Sequence, residues 1–205
     1  MNRSGIFLLL AALSATGLAR DLASSDAVVL EKRFFAAQQK TRTLEAAFTQ
    51  TISVPGLENP AISRGQLFYR APDELRIFYQ VPPGELMQLD AGNFTTIRTG
   101  RAPVVRSASH PSARALGALR DILRGNQPPG DMQVSVTRQA GHYRVVLVPS
   151  ARGGFQPEKI ENTIDEDTME LRSMSLTLPR GTVMRFDFSA TRRNHRLPTD
   201  AFRLP

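Results

Sequence analysis

The chain has 205 residues, of which 41% are hydrophobic and 22% are charged, and its formal net charge is +7. This length suits one domain with one sizeable core, and the mixed charge and recurring apolar residues exclude a largely disordered chain. Because there is no Cys, the sequence excludes disulfides, thiolate metal sites, thiol catalysis and a lipidated N-terminal Cys. With three His in the chain, a metal centre would depend on carboxylates.

The N-terminus has the parts of a secretory signal peptide. Arg3 gives a positive start, an apolar run covers residues 5–13, and small residues follow it. The run is far shorter than the ~20 apolar residues that span a bilayer. Gly17 and Ala19 occupy the two positions that signal peptidase reads. We therefore predict a signal peptide over residues 1–19, cleavage after Ala19, and a mature chain that works in the periplasm.

The basic charge suggests different partners for an exported chain than for a cytosolic one. Nucleic acid is the usual partner of a basic cytosolic protein, whereas anionic lipid head groups or an acidic protein suit an exported one. Arg192, Arg193 and Arg196, with His195 among them, form the tightest basic cluster. We expect no nucleic-acid partner, and the cluster is a candidate surface for an acidic receptor or for phospholipid head groups. The alternative is a solvated surface kept for solubility.

Residues 20–48 show a helical pattern. Ser24 and Ser25 can cap its start, and Asp26 suits the positive end of the helix dipole. An apolar stripe at helical spacing runs through Val28, Leu30, Phe34, Phe35, Ala37, Leu44 and Phe48. No Gly or Pro interrupts this stretch until Pro55. We predict an amphipathic helix that packs on an apolar surface.

Short strand-like segments divided by turn residues fill most of the remaining chain. The predicted strands are 64–71, 75–80, 86–90, 94–99, 104–108, 132–138, 143–149, 159–165, 171–178 and 182–191. Their connections are too short for parallel crossovers, so the sheet is antiparallel. Apolar and polar residues alternate over 174–178 and 183–188, which is typical of a sheet with one solvated face.

A second helix interrupts the strands over residues 111–124. Gly125 stands where a helix C-cap glycine belongs. The apolar residues of this segment share one helical face: Ala113, Leu116, Leu119, Ile122 and Leu123. We predict a mainly β protein with α-helices, an open, incomplete antiparallel β-barrel of about ten strands covered by a helical lid. A loosely held lid would cover a pocket for a long apolar ligand.

No residue pattern indicates catalysis, a cofactor or a metal. The Ser residues carry no G-x-S-x-G motif, and none stands in a recognisable relation to a His and an Asp. Gly153-Gly154 lacks the Lys of a phosphate-binding loop. An acidic stretch lacks the residue order and the central Gly of an EF-hand loop, so we expect a solvated turn there; it contains Glu161, Asp165, Glu166, Asp167 and Glu170. We predict that the protein is not an enzyme.

Four motifs occur in one order along nearly the whole mature chain. Phe48-Thr49-Gln50 closes the predicted first helix, and GQLFYRAPDELRIFY over residues 65–79 is followed by Pro82. Leu89-Asp90-Ala91-Gly92 is a turn, and LPTDAFRLP over residues 197–205 is the ending. Each motif is weak alone, but their order and spacing resemble the LolA-type periplasmic lipoprotein carriers of Gram-negative bacteria.

The resemblance implies an open β-barrel whose apolar interior receives the acyl chains of outer-membrane lipoproteins. It also implies two partners, an inner-membrane ATP-driven exporter that supplies the cargo and an outer-membrane receptor that takes it. We expect a monomer, and a receptor lipoprotein is disfavoured because it would need a Cys at its mature start.

Candidate site residues fall on the two sides of this interior. The acyl-chain pocket candidates are Leu67, Tyr69, Leu75, Ile77, Leu86, Leu89, Phe94 and Ile97, each of which could equally be core. The lid candidates are Phe34, Leu116 and Leu119. The sequence leaves open which strand parity faces the lid.

The sequence departs from the family at the arginine associated with holding the lid shut. That position is Ala71 here, and Arg70, one residue earlier, would point to the opposite face of the sheet. Either a local bulge redirects Arg70 or another residue, for which Arg76 is a candidate, holds the lid. The family's tryptophan after this turn is Ile77.

Two other functions fit the same pattern. The first is a periplasmic carrier of another lipid, such as a glycolipid, a hopanoid-like molecule or a fatty acid. The second is a scaffold protein that grips a protein partner without transporting lipid. A lipid hydrolase ranks third, because the sequence offers no nucleophile and base pair.

Overall fold

A computed structural model describes residues 20–21, 24–90, 92–110, 113–126, 132–150 and 157–204. The predicted signal peptide, Ala91 and Gly153-Gly154 lie outside the described residues. The elements in chain order are β1 Arg20–Asp21, α1 Ser24–Gln39, β2 Thr43–Ser53, β3 Ala61–Arg70, β4 Glu74–Val81, β5 Glu85–Asp90, β6 Asn93–Arg98, β7 Val104–Ser107, α2 Arg114–Arg124, β8 Met132–Gln139, β9 His142–Pro149, β10 Lys159–Asp165, β11 Leu171–Thr177 and β12 Val183–Arg193.

The described strands form one open antiparallel sheet. Its strand order is β1-β8-β9-β10-β11-β12-β2-β3-β4-β5-β6-β7, and β1 contributes only two residues. Two meanders, β2–β7 and β8–β12, therefore meet where the last strand pairs with β2. The predicted open antiparallel barrel with a helical cover is confirmed, but the strands do not follow simple chain order. Since β7 and β8 lie near opposite edges, the chain that carries α2 crosses the sheet.

The predicted helix over residues 20–48 is confirmed for Ser24–Gln39, but it is wrong at Arg20–Asp21, which form β1, and beyond Gln39. The chain turns at Thr41, whose N–H donates to the Gln38 oxygen at 2.8 Å, and then forms β2. In β2 every second residue is buried, namely Leu44, Ala46, Phe48 and Gln50. A spacing of four residues fits both a helical and a strand period, and the small Ala46 and polar Gln50 conceal the alternation.

One face of the sheet carries the core, and we call it the inner face. Across the first meander, Leu44 lies opposite Tyr69, Tyr69 opposite Leu75, and Leu75 opposite Leu89. Each of these residues is at most 4% exposed. In the second meander Val136, Val145, Asn162, Met174 and Phe186 occupy the equivalent row. Because cross-strand neighbours share a face, these rows form one continuous floor under the two helices.

The two helices pack closely at their C-terminal ends. Gly125 ends α2 with φ of 77°, as the sequence predicts, and the Asn126 N–H bonds to the Asp121 oxygen at 2.9 Å. A Cβ placed on Gly125 would lie 2.9 Å from the Phe35 backbone oxygen and 2.8 Å from Cγ of Gln39. Only a glycine therefore allows the observed approach of α2 to α1.

Candidate functional site

Helix α2 fills the middle of the inner face. Leu119 and Leu123 lie over Leu44, Ala46 and Leu67, and the space left between them is about 10 Å³. This volume is at the lower limit for a single water molecule. The predicted pocket residues Leu67, Tyr69, Leu75, Ile77 and Leu89 are at most 1% exposed and form a packed floor. Among the described residues, the space between α2 and this floor is too small for a lipid chain.

A cavity of about 420 Å³ lies between α1 and strands β8–β10, and we call it the α1 cavity. Leu30 and Phe34 of α1 cover it, and Val136, Val145, Leu147 and Ile164 contribute to its floor. Among its described lining residues, only Glu31 and Asn162 are polar. Its volume falls in the range of about 300–1,000 Å³ typical of small-molecule sites.

The α1 cavity opens to solvent through an apolar mouth. Val28 on α1 and Val134 on β8 both line it, and they are 48% and 56% exposed. Exposed valines on both sides of an opening are unfavourable in water unless an apolar partner covers them. The mouth therefore favours entry of a hydrocarbon chain over entry of a polar ligand.

A second cavity of about 410 Å³ lies at the other end of the inner face, over β5–β7. Met87, Phe94 and Val104 supply apolar surface to this β5–β7 cavity. Three arginines surround it, namely Arg98, Arg101 and Arg106, and Arg98 pairs with Glu85 at 3.2 Å. The mixture of apolar floor and cationic rim suits an anionic group more than a bare hydrocarbon.

The structure places the other sequence-predicted site residues in different parts of the molecule. Phe34 borders the α1 cavity and Phe94 the β5–β7 cavity, whereas Leu116 and Leu119 are buried on α2. Leu86 and Ile97 pair with each other on the outer face by register, and they also border the β5–β7 cavity. Sequence reasoning missed the β8–β10 floor; the alternation of apolar residues there, including Val134 and Val136, could have indicated it.

Arg70 and Arg76 lie on the outer face and contact the C-terminal segment. Arg76 is 7% exposed and donates to Gln88 Oε1 at 3.0 Å, to the Asp200 oxygen at 3.3 Å and to the Arg203 oxygen at 2.7 Å. Burial lowers the pKa of the Arg76 guanidinium. The guanidinium carbon of Arg70 lies 4.7 Å from the centre of the Phe202 ring, and Arg70 also pairs with Glu74.

No bulge redirects Arg70 toward the helices. Arg70 stays in regular register with Thr43 and Glu74, and the nearest irregularity in its pairing lies between Arg64 and Gly65. The side-chain hydrogen bonds of Arg70 and Arg76 within the described residues go to Glu74, Gln88 and the C-terminal segment rather than to α1 or α2. Arg70 and Arg76 instead hold the C-terminal segment, whose sequence resembles the family's ending, against the outer face of the sheet.

The C-terminal end of α1 is fixed by a different arginine, Arg193 on β12. Gln38 is fully buried and donates from Nε2 to the Met169 oxygen at 2.9 Å. Arg193 donates from Nη2 to the same oxygen at 3.2 Å and to Gln38 Oε1 at 3.5 Å. Burial lowers the pKa of the Arg193 guanidinium, and its Nη2 bonds replace part of the lost hydration.

The predicted basic surface cluster is therefore smaller than the sequence indicates. Arg193 points into the protein, and Arg192 and His195 both bond to Oε2 of Glu45, at 2.8 and 2.9 Å. Burial raises the pKa of the Glu45 carboxyl, but the bonds from His195 and Arg192 outweigh it, so that the net shift is downward.

The acidic stretch forms an ordered turn between β10 and β11, except for Glu161, which lies within β10 and pairs with Arg144 at 2.8 Å. One oxygen of Asp165 accepts from the N–H groups of Asp167 at 3.0 Å and Thr168 at 2.8 Å, and the other bonds to Arg172. The Thr168 N–H and the Arg172 side chain hold the pKa of Asp165 well below its usual range. The described residues contain no group of three or more His, Asp or Glu side chains suited to a metal ion.

Neither described helix is long and apolar enough to cross a bilayer. The described residues form an open antiparallel barrel with two helices on its inner face and apolar space beneath one of them. The family model described as "Outer membrane lipoprotein carrier protein LolA" matches residues 39–205, and the chain belongs to this family. The family resemblance indicated by the four motifs is thereby confirmed.

Solved structures with the same fold are distant in sequence. A putative outer membrane lipoprotein-sorting protein domain from Vibrio parahaemolyticus has a TM-score of 0.51 and 8% identity, covering 88% of this chain and 97% of that one. An uncharacterized conserved protein from Thermus thermophilus has a TM-score of 0.50 and 11% identity, covering 86% and 96%. The structure of MucB has a TM-score of 0.52 and 18% identity, covering 89% of this chain and 64% of MucB.

These identities are low enough that the likeness concerns the fold alone. No curated protein sequence matches the chain at a significant level.

Proposed function

We propose that this protein is an exported carrier that shelters the hydrocarbon chain of a lipid, and that its cargo is the acyl part of outer-membrane lipoproteins. The observation that supports this most directly is the α1 cavity, an apolar space of about 420 Å³ with exposed Val28 and Val134 at its mouth. Membership of the outer membrane lipoprotein carrier family supports the choice of cargo. The proposal includes no catalytic step.

The free energy of lipid binding favours a cover that can move. Each sheltered CH₂ contributes ~0.8 kcal/mol, so that a long acyl chain is held by on the order of 10 kcal/mol. A carrier that releases its cargo needs an unfavourable free-energy term that offsets part of this binding. Here α1 and α2 supply it, because Leu30, Phe34 and Leu119 are buried against the sheet and must give up part of that packing as cargo enters.

Helix α1 is held unevenly along its length. Its C-terminal end is tied by Gln38 to the Met169 oxygen, whereas Val28 and Val29 near its N-terminal end are 48% and 56% exposed. We infer that α1 pivots on the Gln38 contact and that its N-terminal half moves off the sheet when the two-residue strand β1 separates from β8, which widens the mouth of the α1 cavity. The floor under α2, with Leu67 and Ile77, becomes available to cargo only when α2 also moves.

A fluorescent hydrocarbon probe, N-phenyl-1-naphthylamine, tests the binding site directly. Val134→Phe places a larger side chain at the mouth, and we expect it to weaken probe binding several-fold. The matched control is Val105→Phe on β7, because Val105 is 60% exposed on a strand and borders neither cavity. Equal binding by wild type and both variants would show that the α1 cavity is not the site.

The cargo is tested with the protein as it occurs in the periplasm. Solvent extraction followed by mass spectrometry separates bound lipoprotein or its acyl chains from a glycolipid, a hopanoid-like lipid or a free fatty acid. Photocrosslinking from position 134 reports on the α1 cavity and from position 67 on the floor under α2. Capture of free lipid without lipoprotein would replace the proposed cargo with another lipid while keeping the carrier function.

Export and the two membrane partners are part of the same proposal. A mature N-terminus at Arg20, determined by sequencing the periplasmic protein, is the expected result of cleavage after Ala19. Transfer of a lipoprotein from inner-membrane vesicles that contain the ATP-driven exporter, and onward to vesicles that contain the outer-membrane receptor, tests the two handover steps. Release that occurs equally without the purified protein would contradict a role in transport.

A second candidate function, binding of an acidic protein partner, is favoured by the edge strand β7. Val104 and Val105 are 43% and 60% exposed on this edge, Arg106 belongs to the same strand, and Arg98 and Arg101 lie beside it. An extended acidic segment could add to such an edge. This function predicts partner binding that weakens as salt rises and that is lost in Val105→Pro, whereas lipid binding at the α1 cavity stays unchanged.

A further inference from the structure

The side-chain amide of Asn162 is a buried polar group without a complete set of partners. Asn162 is 4% exposed, and its Oδ1 is fully buried and has no hydrogen-bond partner among the described residues. The residue lies in the middle of β10, opposite Val145 on β9 and Met174 on β11. Burying an amide oxygen among apolar side chains without a donor disfavours folding.

Two other buried side-chain amides, Gln50 on the inner face and Gln38 on α1, have partners. Gln50 accepts from the Tyr79 hydroxyl at 2.8 Å, and Gln38 donates to the Met169 oxygen at 2.9 Å. Burial also raises the pKa of Tyr79 to about 12. Half-buried Arg193 and His195 each have one nitrogen without a hydrogen bond, but Arg193 Nε lies 3.6 Å from Oε1 of Glu170, and both side chains bond through another nitrogen. Asn162 is the residue of this group that belongs to the lining of the candidate site.

Asn162 belongs to the lining of the α1 cavity. The torsion that orients an Asn amide is soft and roughly two-fold, so that either end of the amide can turn toward the cavity. A plain hydrocarbon that filled the cavity would leave the Asn162 amide as unsatisfied as it is now. A chain with a hydrogen-bond donor at this depth would satisfy Oδ1 and remove the cost.

We propose that the α1 cavity binds an aliphatic chain that carries a hydrogen-bond donor, a hydroxyl or an amide N–H, and that Asn162 accepts from that donor. The proposal rests on the proposed lipid-carrier function and adds a polar contact that determines which chain binds. Sites built to hydrogen-bond a ligand group discriminate against the analogue that lacks it, because the protein group is then left unpaired. Asn162 therefore acts as a specificity-determining residue of the cavity.

Paired ligands test this inference. Stearic acid is compared with hydroxystearic acids that carry the hydroxyl at different positions, and with an N-alkyl amide of similar length, by displacement of N-phenyl-1-naphthylamine. Wild type is expected to bind at least one hydroxyl or amide ligand about five- to tenfold more tightly than stearic acid, as one buried hydrogen bond implies. Whichever ligand is preferred distinguishes a hydroxyl from an amide N–H.

Asn162→Leu replaces the amide with an apolar group of similar size. In this variant the preference is expected to disappear, while stearic acid binds as tightly as in wild type or more tightly. Ile164→Val, on the same strand and in the same lining, is the matched control and is expected to keep the preference. Circular dichroism spectra that match wild type confirm that both variants fold.

The outcomes separate this inference from the carrier function. If wild type binds stearic acid and shows no preference for any hydroxyl or amide ligand, or if Asn162→Leu keeps the preference, the polar contact is overturned and the carrier function stands. If wild type binds none of the aliphatic ligands, both the carrier function and the polar contact are overturned.

Discussion

Gln38 and Met169, which lie far apart in the sequence, are joined by a hydrogen bond of 2.9 Å from the Gln38 Nε2 to the Met169 backbone oxygen. Arg193 bonds to the same oxygen, so that three elements, α1, the β10–β11 turn and β12, meet at one acceptor. Gln38 is fully buried, and Met169 is 5% exposed. This contact fixes the end of α1 that does not cover the mouth of the α1 cavity.

Gln38→Met should destabilise the protein and speed lipid exchange. Met nearly conserves the volume but leaves the Met169 oxygen and Arg193 with fewer partners, which costs about 1–3 kcal/mol. Urea unfolding followed by circular dichroism measures the loss, and the dissociation rate of a fluorescent hydrocarbon measures the exchange. Gln39→Met is the control, because Gln39 is exposed and makes only a 3.5 Å contact to Gly125. Equal exchange rates in both variants would contradict the anchoring role.

Arg76→Met should release the C-terminal segment from the outer face. The three bonds of Arg76 to Gln88, Asp200 and Arg203 are lost, two of them to backbone oxygens, and we expect a loss of about 2–4 kcal/mol. Limited trypsin digestion should then cut at Arg203 faster than in wild type.

The matched control for Arg76 is Arg70→Met. Arg70 has an exposed ion pair with Glu74 and a ring contact with Phe202, and these should contribute no more than about 1 kcal/mol together. Equal effects of the two substitutions on stability and on trypsin cleavage would show that Arg76 does not hold the segment.

Asp165 should make the stability of the protein depend on acid pH. Its pKa in the folded protein lies well below the value of about 4 expected in the unfolded chain. The ionised carboxylate therefore stabilises the fold fully above about pH 5, and this contribution is lost as the pH falls through the folded-state pKa. Asp165→Asn should lower the free energy of unfolding at pH 7 by about 2 kcal/mol. In this variant, stability should also fall less steeply than in wild type as the pH drops below 4.

Urea unfolding at a series of pH values checks the Asp165 prediction. Asp167→Asn is the control, because Asp167 is exposed and only its backbone N–H takes part in the turn. It should change stability by less than about 0.5 kcal/mol. An acid limb of the stability curve that is the same in wild type and Asp165→Asn would contradict the prediction.

Two glycines of the α2 region should respond to Ala in opposite directions. Gly117 is inside the helix, and a Cβ at this position would meet no neighbouring side chain within 4 Å, so Gly117→Ala should raise stability by about 0.5–1 kcal/mol. Gly125 has φ of 77° and lies close to Phe35 and Gln39, so Gly125→Ala should lower stability by at least about 1 kcal/mol. Thermal unfolding measures both, and a stabilised Gly125→Ala would contradict the close approach of α1 and α2.

Local sequence patterns predicted most strands, because alternating apolar and polar residues show the two-residue period of a strand. The alternation in β11 and β12 and the turn residues between strands predicted bounds within a few residues of those observed. The same reasoning failed at Leu44 and Phe48, where a spacing of four residues is compatible with two periods. The sequence pattern also could not show that Leu67 lies on the inner face and Leu86 on the outer face. Alternation assigns residues to two faces but does not indicate which face the helices cover.

The sequence by itself determined an exported-type N-terminal pattern, an antiparallel sheet, two helices and the family. Tertiary structure alone decided that β12 pairs with β2, that α2 fills the centre of the floor, and that open space remains beneath α1. It also brought Asn162 into that space and Arg193 to Gln38. The physical reason is that burial and hydrogen bonding between residues far apart in the chain depend on how the two meanders join, which no local pattern contains.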